Sequence, residues 1–413
     1  MLRRIRLGLM VAFTSLCTPA TAADIDARFK AFGVGSALPE RDIQRQLIGT
    51  PLYDMNLDLR LMFAANKGGF SFSAENTTLY QNGDSLAFFN NPQNTLDQSP
   101  TDDSRRIMDL TWTIDDGDRY QALNRMDRLY VRYSNGPYRV TLGRQAVSWG
   151  SGIAFQPMDL FSPFAPTTVD RDFKAGDDLI QIEKLNDGGS DIQLLVVGRR
   201  DDQGRITGQA HSVAGKWHGF VSLGEVELVA GKHYVDQVYA FAVRYPLGGA
   251  LLRSDWVGTR LRSGDWKLSA IVNLDYSLVV NDHNVYVFGE YFYNGFGVND
   301  LPDSPLLLPD PLKERLARGE VFSLMKHYTA LGASVEWHPL VTQTLTVITN
   351  LKDLSNLIQT QVTYNPGDHQ MLEAGVVFSV GHPGEEFGGV PLAGSRLTSG
   401  GSTQGYLRWV WYF

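Results

Sequence analysis

The densest group of charged side chains in the sequence lies between residues 143 and 183, among prolines and aromatic residues. This segment contains five aspartates: Asp159, Asp170, Asp172, Asp177 and Asp178. Several carboxylates close together could hold a hard cation such as Ca²⁺. Their spacing matches no regular calcium loop, and Arg171 and Lys174 lie between them. We therefore favour salt bridges to nearby arginines over a metal site, and we predict neither a metal nor a cofactor.

A second group of charges precedes this segment on two adjacent predicted strands and consists of Arg128, Arg132, Arg139 and Arg144. Basic groups on a wall that face acidic groups across a narrow passage create a transverse field, and such a field orients dipolar solutes. We predict a pore constriction formed by these four arginines together with Asp159, Asp170, Arg171, Asp172 and Lys174. The alternative is that the same charges merely line a hydrated cavity.

The stretch from residue 155 to residue 164 is too apolar to remain in water at the tip of a loop. We expect the chain to fold inward here, with Phe161 and Phe164 packed against a wall and acting as loop anchors. The alternative is a plug or latch that has no direct contact with a solute.

Catalysis would require a nucleophile, a base and an acid in one place. The 8 histidines are scattered over turns and strand ends, and the sequence contains neither GxSxG nor HExxH. We therefore predict that the chain is not an enzyme. A triad that only the fold assembles stays open, and a barrel hydrolase is our third hypothesis.

The elements that position these residues are strands of alternating polarity. In YDMNLDLRLMFAA, residues 53–65, apolar residues occupy one face and charged or polar residues the other. Similar segments recur along the chain, separated by turns rich in Gly, Asn, Asp and Pro. One such strand could belong to a soluble sandwich, but the repetition, with short turns alternating with long loops, is typical of a transmembrane barrel. We predict an all-β fold, a transmembrane antiparallel up-and-down β-barrel of about 16–18 strands with an inward-folded long loop.

The N-terminus has the features of a secretory signal peptide. Arg3, Arg4 and Arg6 precede an apolar run that is too short to span a bilayer, and Ala20-Thr21-Ala22 forms a cleavage site. We predict a signal peptide at 1–22, cleaved after Ala22 or Ala23, then a periplasmic or lumenal segment at 23–52 and a barrel at 53–413. The net charge of −8 becomes more negative once this leader is removed, so nucleic acid is not an expected partner.

The chain ends in GSTQGYLRWVWYF. This strand resembles the terminal signal of Gram-negative outer-membrane β-barrel (porin-like) proteins, and the matching residues are Tyr406, Trp409, Trp411 and Phe413. The resemblance implies a location in the bacterial outer membrane and recognition by the barrel-assembly machinery. Residues 143–183 contain, in this order, Arg-Gln, a Trp-Gly turn, a Pro-rich apolar stretch with an Asp, and an Asp-Arg-x-x-x-x-Gly-x-Asp run. With these motifs the segment resembles one of proteobacterial porin-like barrels. In classical porins the third loop folds into the lumen and narrows it.

Our leading functional hypothesis is a porin-like channel for passive passage of small hydrophilic or amphipathic solutes. The runner-up is a plugged interaction barrel, a subunit of an envelope export or assembly complex. Expected partners are small solutes, the assembly machinery, and outer-membrane lipid including lipopolysaccharide, and a homo-oligomer is compatible with the sequence. The sequence leaves open the solute and the pore size, as well as the strand order near residues 82–105.

Overall fold

The computed structural model describes residues 22–89, 103–166, 168–169 and 173–413. The strands in chain order are β1 (Ala22–Ala37), β2 (Leu52–Lys67), β3 (Phe70–Gly83), β4 (Thr111–Asp116), β5 (Tyr120–Asn135), β6 (Tyr138–Gln145), β7 (Asp177–Leu185), β8 (Asp191–Val197), β9 (Ser212–Val221), β10 (Gly224–His233), β11 (Asp236–Leu247), β12 (Ala250–Arg260), β13 (Trp266–Val280), β14 (His283–Tyr293), β15 (His327–His338), β16 (Val341–Asn350), β17 (Asn356–Gly367), β18 (Gln370–Val380), β19 (Val390–Pro391), β20 (Thr398–Ser399) and β21 (Thr403–Tyr412). The α-helices are α1 (Ile43–Ile48), α2 (Asp84–Phe89) and α3 (Asp310–Ala317).

Eighteen of these strands form a closed antiparallel barrel. Each wall strand pairs with its sequence neighbours, except that β3 pairs with β5 and β18 pairs with β21. The ring closes because β1 pairs with β2 on one side and with β21 on the other. Closure leaves no unpaired sheet edge, which is the condition for placing strands in a bilayer. The predicted all-β barrel of 16–18 strands is confirmed.

The two faces of the wall follow the alternation of the sequence. In β2, Tyr53, Leu59 and Leu61 point outward and are 65%, 42% and 44% exposed. Asp58 and Arg60, on the opposite face, are buried inside the barrel. The outer surface is therefore apolar and the lumen polar, as expected for strands that face lipid on one side and water on the other.

Two strands differ from the sequence-based prediction. Residues 22–37 form the wall strand β1, although we had placed 23–52 in the periplasm or lumen. The outward positions of β1 include Ala27, Ala31, Gly33 and Gly35, so the apolar half of its alternation is weak. Conversely, the alternation of polarity also predicts a wall strand near residues 106–115. Residues 111–116 form only the short strand β4, which lies beside β5 and is not part of the closed ring.

Nine loops lie at one end of the barrel, and short turns and both ends of the described chain lie at the other. The loops that matter below are L2 (84–119), L3 (146–176), L4 (198–211), L7 (294–326) and L9 (381–402). The long connection near residues 82–105 thus belongs to the loop end, because β4 does not cross the wall. No described helix is long and apolar enough to cross a membrane.

Candidate functional site: loop L3 inside the barrel

L3 leaves β6, crosses the barrel interior and returns to β7, so the predicted inward course is confirmed for its described residues. Phe161 is 2% exposed, and its ring meets Trp149 edge-on with the centroids 5.3 Å apart. These two side chains pack with Met158 against inward-facing apolar residues of the wall, namely Leu195, Val197, Ala214, Val229, Val238, Ala242 and Val257. Phe164 is half-buried and lines a cavity between L3 and L7. Burial of apolar surface therefore holds L3 in the lumen.

Two carboxylates of the wall bind the backbone of L3 directly. Glu290 on β14 accepts hydrogen bonds from the backbone N–H groups of Ile153 (2.8 Å), Ala154 (3.2 Å) and Phe155 (2.7 Å). Asp255 on β12 accepts from the backbone N–H and the hydroxyl of Ser151, at 2.8 and 2.6 Å. Both carboxylates are buried, and hydrogen bonds to charged groups are the stronger kind. Together they fix the register of L3 against the wall.

The residue before Ser151 is a glycine for steric reasons. Gly150 has φ +89°, a left-handed conformation that favours glycine. A Cβ atom at this position would lie 2.6 Å from an oxygen of Asp255. The Trp-Gly turn noticed in the sequence therefore allows the loop backbone to approach a wall carboxylate.

Aromatic contacts of Phe155 attach L3 to β14 and also to the next strand, β15. The ring of Phe155 stacks on Phe292 of β14 with the centroids 4.5 Å apart, and it lies 5.7 Å from Tyr328 of β15. L3 is thus attached to the wall opposite its own strands, and the loop spans the lumen.

Two of the predicted charged residues of L3, Asp159 and Lys174, form an internal ion pair. The Lys174 ammonium contacts both oxygens of Asp159, at 2.6 and 2.5 Å, and donates to the carbonyl of Val147. Burial raises the pKa of Asp159 to about 6, against the opposing effect of Lys174, and burial lowers the pKa of Lys174. The sequence also favours a position of Lys174 opposite basic wall residues such as Arg132, Arg139 or Arg144. In the structure Asp159, within the same loop, compensates the charge of Lys174 instead.

The four predicted wall arginines have different environments. Arg128 donates to the carbonyl of Lys174 at 2.6 Å, so it contacts L3 through the backbone. Arg132 donates to the Thr141 hydroxyl at 3.0 Å, and Arg139 lies 3.5 Å from Glu183. Arg132 and Arg139 thus have partners within the wall. Two of the acids predicted to face the wall arginines, Asp170 and Asp172, lie outside the described residues, so the charged constriction stays a prediction.

Arg144 is not accessible to a solute. It is 1% exposed and pairs with Asp103 of L2 at 2.9 Å and with Asp178 of β7 at 2.8 Å. The preceding residue, Gly143, has φ +128°, which interrupts the regular alternation of β6. Arg144 thus joins L2 to the wall and does not belong to a constriction.

A charged layer that the sequence analysis missed lies on β1, β2, β3 and β5. Arg28 pairs with Asp58 at 3.0 Å, and Arg60 pairs with Glu75 at 2.7 Å and with Asp127 at 2.9 Å. Phe173, near the returning end of L3, lies over both guanidinium groups, with its ring centroid 4.5 Å from Arg28 and 3.8 Å from Arg60. L3 therefore contacts an apolar wall on one side and an ionic wall on the other.

Loops L7 and L9 cover the loop end of the barrel. Glu320 of L7 binds His233 of β10 at 2.9 Å, and although burial opposes it, His233 and two neighbouring arginines lower the pKa of Glu320 to about 2. Glu386 of L9 accepts hydrogen bonds from Leu324 N–H, Tyr328 hydroxyl and Asn350 amide at 2.7, 2.5 and 2.7 Å. Burial raises the pKa of Glu386 to about 7.

The fold brings a serine, a histidine and an acid together at Ser212, His233 and Glu320. The Ser212 hydroxyl lies 3.0 Å from Nδ1 of His233, and Glu320 lies 2.9 Å from Nε2. However, Ser212 is 1% exposed and also accepts a hydrogen bond from Arg199 at 2.8 Å. A nucleophile must reach its substrate. The arrangement therefore connects L7 to the wall and is not suited to attack a solute.

Three of the predicted constriction residues, Asp170, Arg171 and Asp172, lie outside the described residues, as does the predicted signal peptide up to residue 21. Within the described ranges, no group of three or more His, Cys, Asp or Glu side chains could hold a metal ion.

The wall residues that hold L3 carry a sequence signal that could have been used. In the segments DIQLLVV of β8 and GEVELVA of β10, apolar residues occupy consecutive positions where the rest of the barrel alternates. A strand that is apolar on both faces is buried on both faces. Here the second apolar face is in the lumen, where only an inserted loop can cover it. Glu290 and Asp255 gave no such signal, because inward acidic residues are common in a hydrated lumen.

Comparison with known proteins shows the fold. No family model matches the sequence, and no curated protein sequence matches it either. The structure resembles OccAB1 of Acinetobacter baumannii, with 9% identity, a TM-score of 0.55 and coverage of 95% of this chain and 96% of that one. It also resembles Pseudomonas aeruginosa OccK2 (OpdF) in complex with glucuronate, with 10% identity, a TM-score of 0.53 and coverage of 95% and 98%. A third similar structure is P. aeruginosa OpdK with vanillate, with 10% identity, a TM-score of 0.52 and coverage of 95% and 98%.

Proposed function

We propose that this protein is a porin-like channel of the bacterial outer membrane, through which small hydrophilic or amphipathic solutes pass by diffusion. The observation that carries the proposal is the position of L3, which is bound inside a closed barrel whose remaining lumenal face is polar. A loop inside the lumen narrows the pore, and the size and polarity of this constriction select the solutes that pass. The long loops then lie outside the cell and the short turns in the periplasm.

The composition of the lumen supports solutes that have both polar and apolar parts. The ionic layer of Arg28, Asp58 and Arg60 lies on one side. The adjoining wall strands offer uncharged groups, among them Gln361 of β17, whose side-chain oxygen accepts from the Tyr406 hydroxyl of β21 at 3.1 Å. Two of the similar structures, OccK2 in complex with glucuronate and OpdK with vanillate, contain small molecules of this general kind. We therefore choose glucuronate and vanillate as the first test solutes for this chain.

The test is reconstitution of the mature chain in planar bilayers and in liposomes. We expect single-channel conductance, and swelling of liposomes in isosmotic glucuronate or vanillate. Heat-modifiable migration on gels, a property of folded barrels, serves as the folding control. A well-folded protein that neither conducts nor admits any of these solutes would contradict the channel.

That silent outcome would favour the runner-up, a plugged interaction barrel within an envelope export or assembly complex. The specific observation in its favour is the extent of loop attachment: L3 is bound through Asp255 and Glu290, and L7 and L9 are bound to the mouth through Glu320 and Glu386. Co-purification of a defined partner with the silent barrel would then support the second candidate.

A further inference from the structure

A row of outward-facing residues crosses the wall at the loop end of β9 to β13. Strand pairing places Val213, Lys232, Gln237, Arg260 and Trp266 side by side in this order. All five are exposed on the outer surface of the barrel, and their inward neighbours His233, Val238 and Thr259 are buried. Two cationic side chains, Lys232 and Arg260, therefore stand in one row with Gln237 between them, on the face that borders the membrane.

Aromatic residues mark the depth of this row. Trp266 is 60% exposed, and its ring lies against Tyr239, which is 48% exposed, with the centroids 6.0 Å apart. Tyr239 belongs to the next outward row toward the middle of the wall. Exposed Trp and Tyr girdles lie at the level of the lipid headgroups. Lys232 and Arg260 are thus at the height where the headgroups of the outer leaflet begin.

The positive charges at this height are not neutralised by the protein. Lys232 donates to the carbonyl of Gly208 at 2.9 Å, and the backbone N–H of Arg262 donates to Asp236 at 3.0 Å. Among the described residues, none of Lys232, Arg260 and Arg262 forms an ion pair. The neighbouring Arg205 differs, because Asp201 pairs with it at 3.0 Å. The nearby exposed Asp265 accepts from the Ser263 hydroxyl at 2.8 Å.

An open cavity adjoins these residues. It has a volume of about 1150 Å³ and lies between L4, the β12–β13 turn and α3. Its lining includes Lys232, Arg262 and the apolar Ile206. It also includes four acids, Asp201, Asp202, Asp236 and Glu314, and the three aspartates pair with Arg205, Arg105 and Arg315 respectively. Basic side chains beside apolar surface suit a ligand with a charged head and an apolar body.

We propose that Lys232, Arg260 and Arg262 bind the phosphate groups of a phosphorylated glycolipid of the outer leaflet, of the lipid A type. The acyl chains would lie on the apolar wall below, over Tyr239 and Trp266, and the phosphates would meet the cations at the rim. Binding at this site requires that the barrel lies in the membrane, which is part of the proposed function, but it does not require that the barrel conducts. If the protein showed no conductance, the proposed lipid site would still stand.

The test compares two double variants of the full mature chain. Lys232→Gln with Arg260→Gln removes the two cations of the row. Lys352→Gln with Arg396→Gln removes the same charges from the loops that follow β16 and β18, outside the proposed site. Binding of bisphosphorylated lipid A to the purified proteins is measured by native mass spectrometry and by titration. We expect the first double variant to bind lipid A roughly 30-fold more weakly, because each basic residue near an anionic lipid surface strengthens binding about fivefold and two such residues are removed. The second should bind like the wild type.

Two further measurements show whether the site recognises the phosphate groups of a lipid or free inorganic phosphate. Dephosphorylated lipid A should bind the wild type as weakly as bisphosphorylated lipid A binds the first variant. Inorganic phosphate at matched ionic strength should displace lipid A no better than chloride does. Equal affinity of both double variants for bisphosphorylated lipid A would overturn the proposal. Full displacement by inorganic phosphate would also overturn it, because the site would then recognise a free anion. Unchanged heat-modifiable migration of all variants excludes a folding defect.

Discussion

At the scale of single residues, buried carboxylates do most of the positioning in this barrel. Asp255 and Glu290 bind backbone N–H groups of L3, Glu386 binds L9 to L7 and the wall, and Asp159 binds Lys174. A carboxylate can accept several hydrogen bonds at once and so satisfies successive N–H groups of an irregular segment. Irregular loops can lie inside a barrel only if their backbone polar groups find such partners.

Replacement of Glu290 tests this role. Glu290→Ala removes the acceptor for three backbone N–H groups, and hydrogen bonds to a charged group contribute roughly 1.5–3 kcal/mol each. We expect L3 to lose its register, with higher conductance and more open-channel noise in planar bilayers. The matched control is Glu336→Ala on β15, whose carboxylate binds Asn284 and not L3. If both variants had the same single-channel conductance and the same open-channel noise, Glu290 would not position the loop.

At the scale of elements, L3 combines a rigid apolar half with an ionic half. Phe161 and Trp149 are packed against the inward apolar patch of β8 to β12, whereas Phe173 lies over Arg28 and Arg60 on the far side. The ion pairs on the far side lie within the wall, and L3 meets them through the cation–π contact of Phe173, which contributes about 0.5–2 kcal/mol. Burial of the Phe161 ring contributes more, so the apolar half dominates the attachment. L7 and L9 depend on polar contacts with buried acids, and these are sensitive to pH.

The apolar half of L3 can be tested by truncating Phe161. Because its ring is buried, Phe161→Ala should cost about 3–5 kcal/mol of local stability. We expect L3 to detach, which raises conductance and lowers amide-exchange protection of residues 149–166 while the barrel strands stay protected. The control is Phe322→Ala in L7, a ring that is 42% exposed. Unaltered exchange in residues 149–166 would count against apolar attachment.

The attachment of L9 should weaken as the pH rises. The pKa of Glu386 is about 7 in the folded protein and 4.5 in the absence of structure, so the docked loop binds the proton more tightly. Docking is therefore most stable below pH 4.5 and loses stability as the pH rises through about 7. Amide exchange of residues 381–402, corrected for the intrinsic effect of pH, should accelerate between pH 6 and pH 8. Glu386→Gln should abolish this dependence, and a wild-type profile in that variant would refute the assignment.

At the scale of the whole molecule, closure of the barrel joins the two ends of the chain. β1 and β21 pair along ten registered positions, from Arg28 with Tyr412 to Ala37 with Thr403. The terminal strand presents Leu407, Trp409, Trp411 and Phe413 to the outside, and Tyr406, Arg408 and Val410 are buried. The strand therefore supplies both the closing hydrogen bonds and an aromatic outer surface.

Insertion into the membrane should depend on the last residue. Phe413 is 67% exposed and stacks on Trp411 with the centroids 5.9 Å apart. Phe413→Asp should leave export intact but reduce the amount of heat-modifiable barrel in the outer-membrane fraction, because the terminal surface would carry a charge. Phe413→Tyr keeps the aromatic ring and should assemble normally. Full assembly of Phe413→Asp would show that this residue is dispensable as a signal.

The sequence by itself determined the architecture and the faces of the wall, because a period of two decides which side chains meet lipid and which meet the lumen. It also determined that L3 turns inward, since its aromatic residues could not remain in water. Only the tertiary structure decided the partners inside: Lys174 pairs with Asp159, Arg144 pairs with Asp103, and Glu290 holds a loop more than a hundred residues away. Such contacts depend on how closed strands and crossing loops bring distant segments together. A pattern along the chain records the direction of a side chain, but the partner that compensates its charge is whichever group the closed fold places nearest.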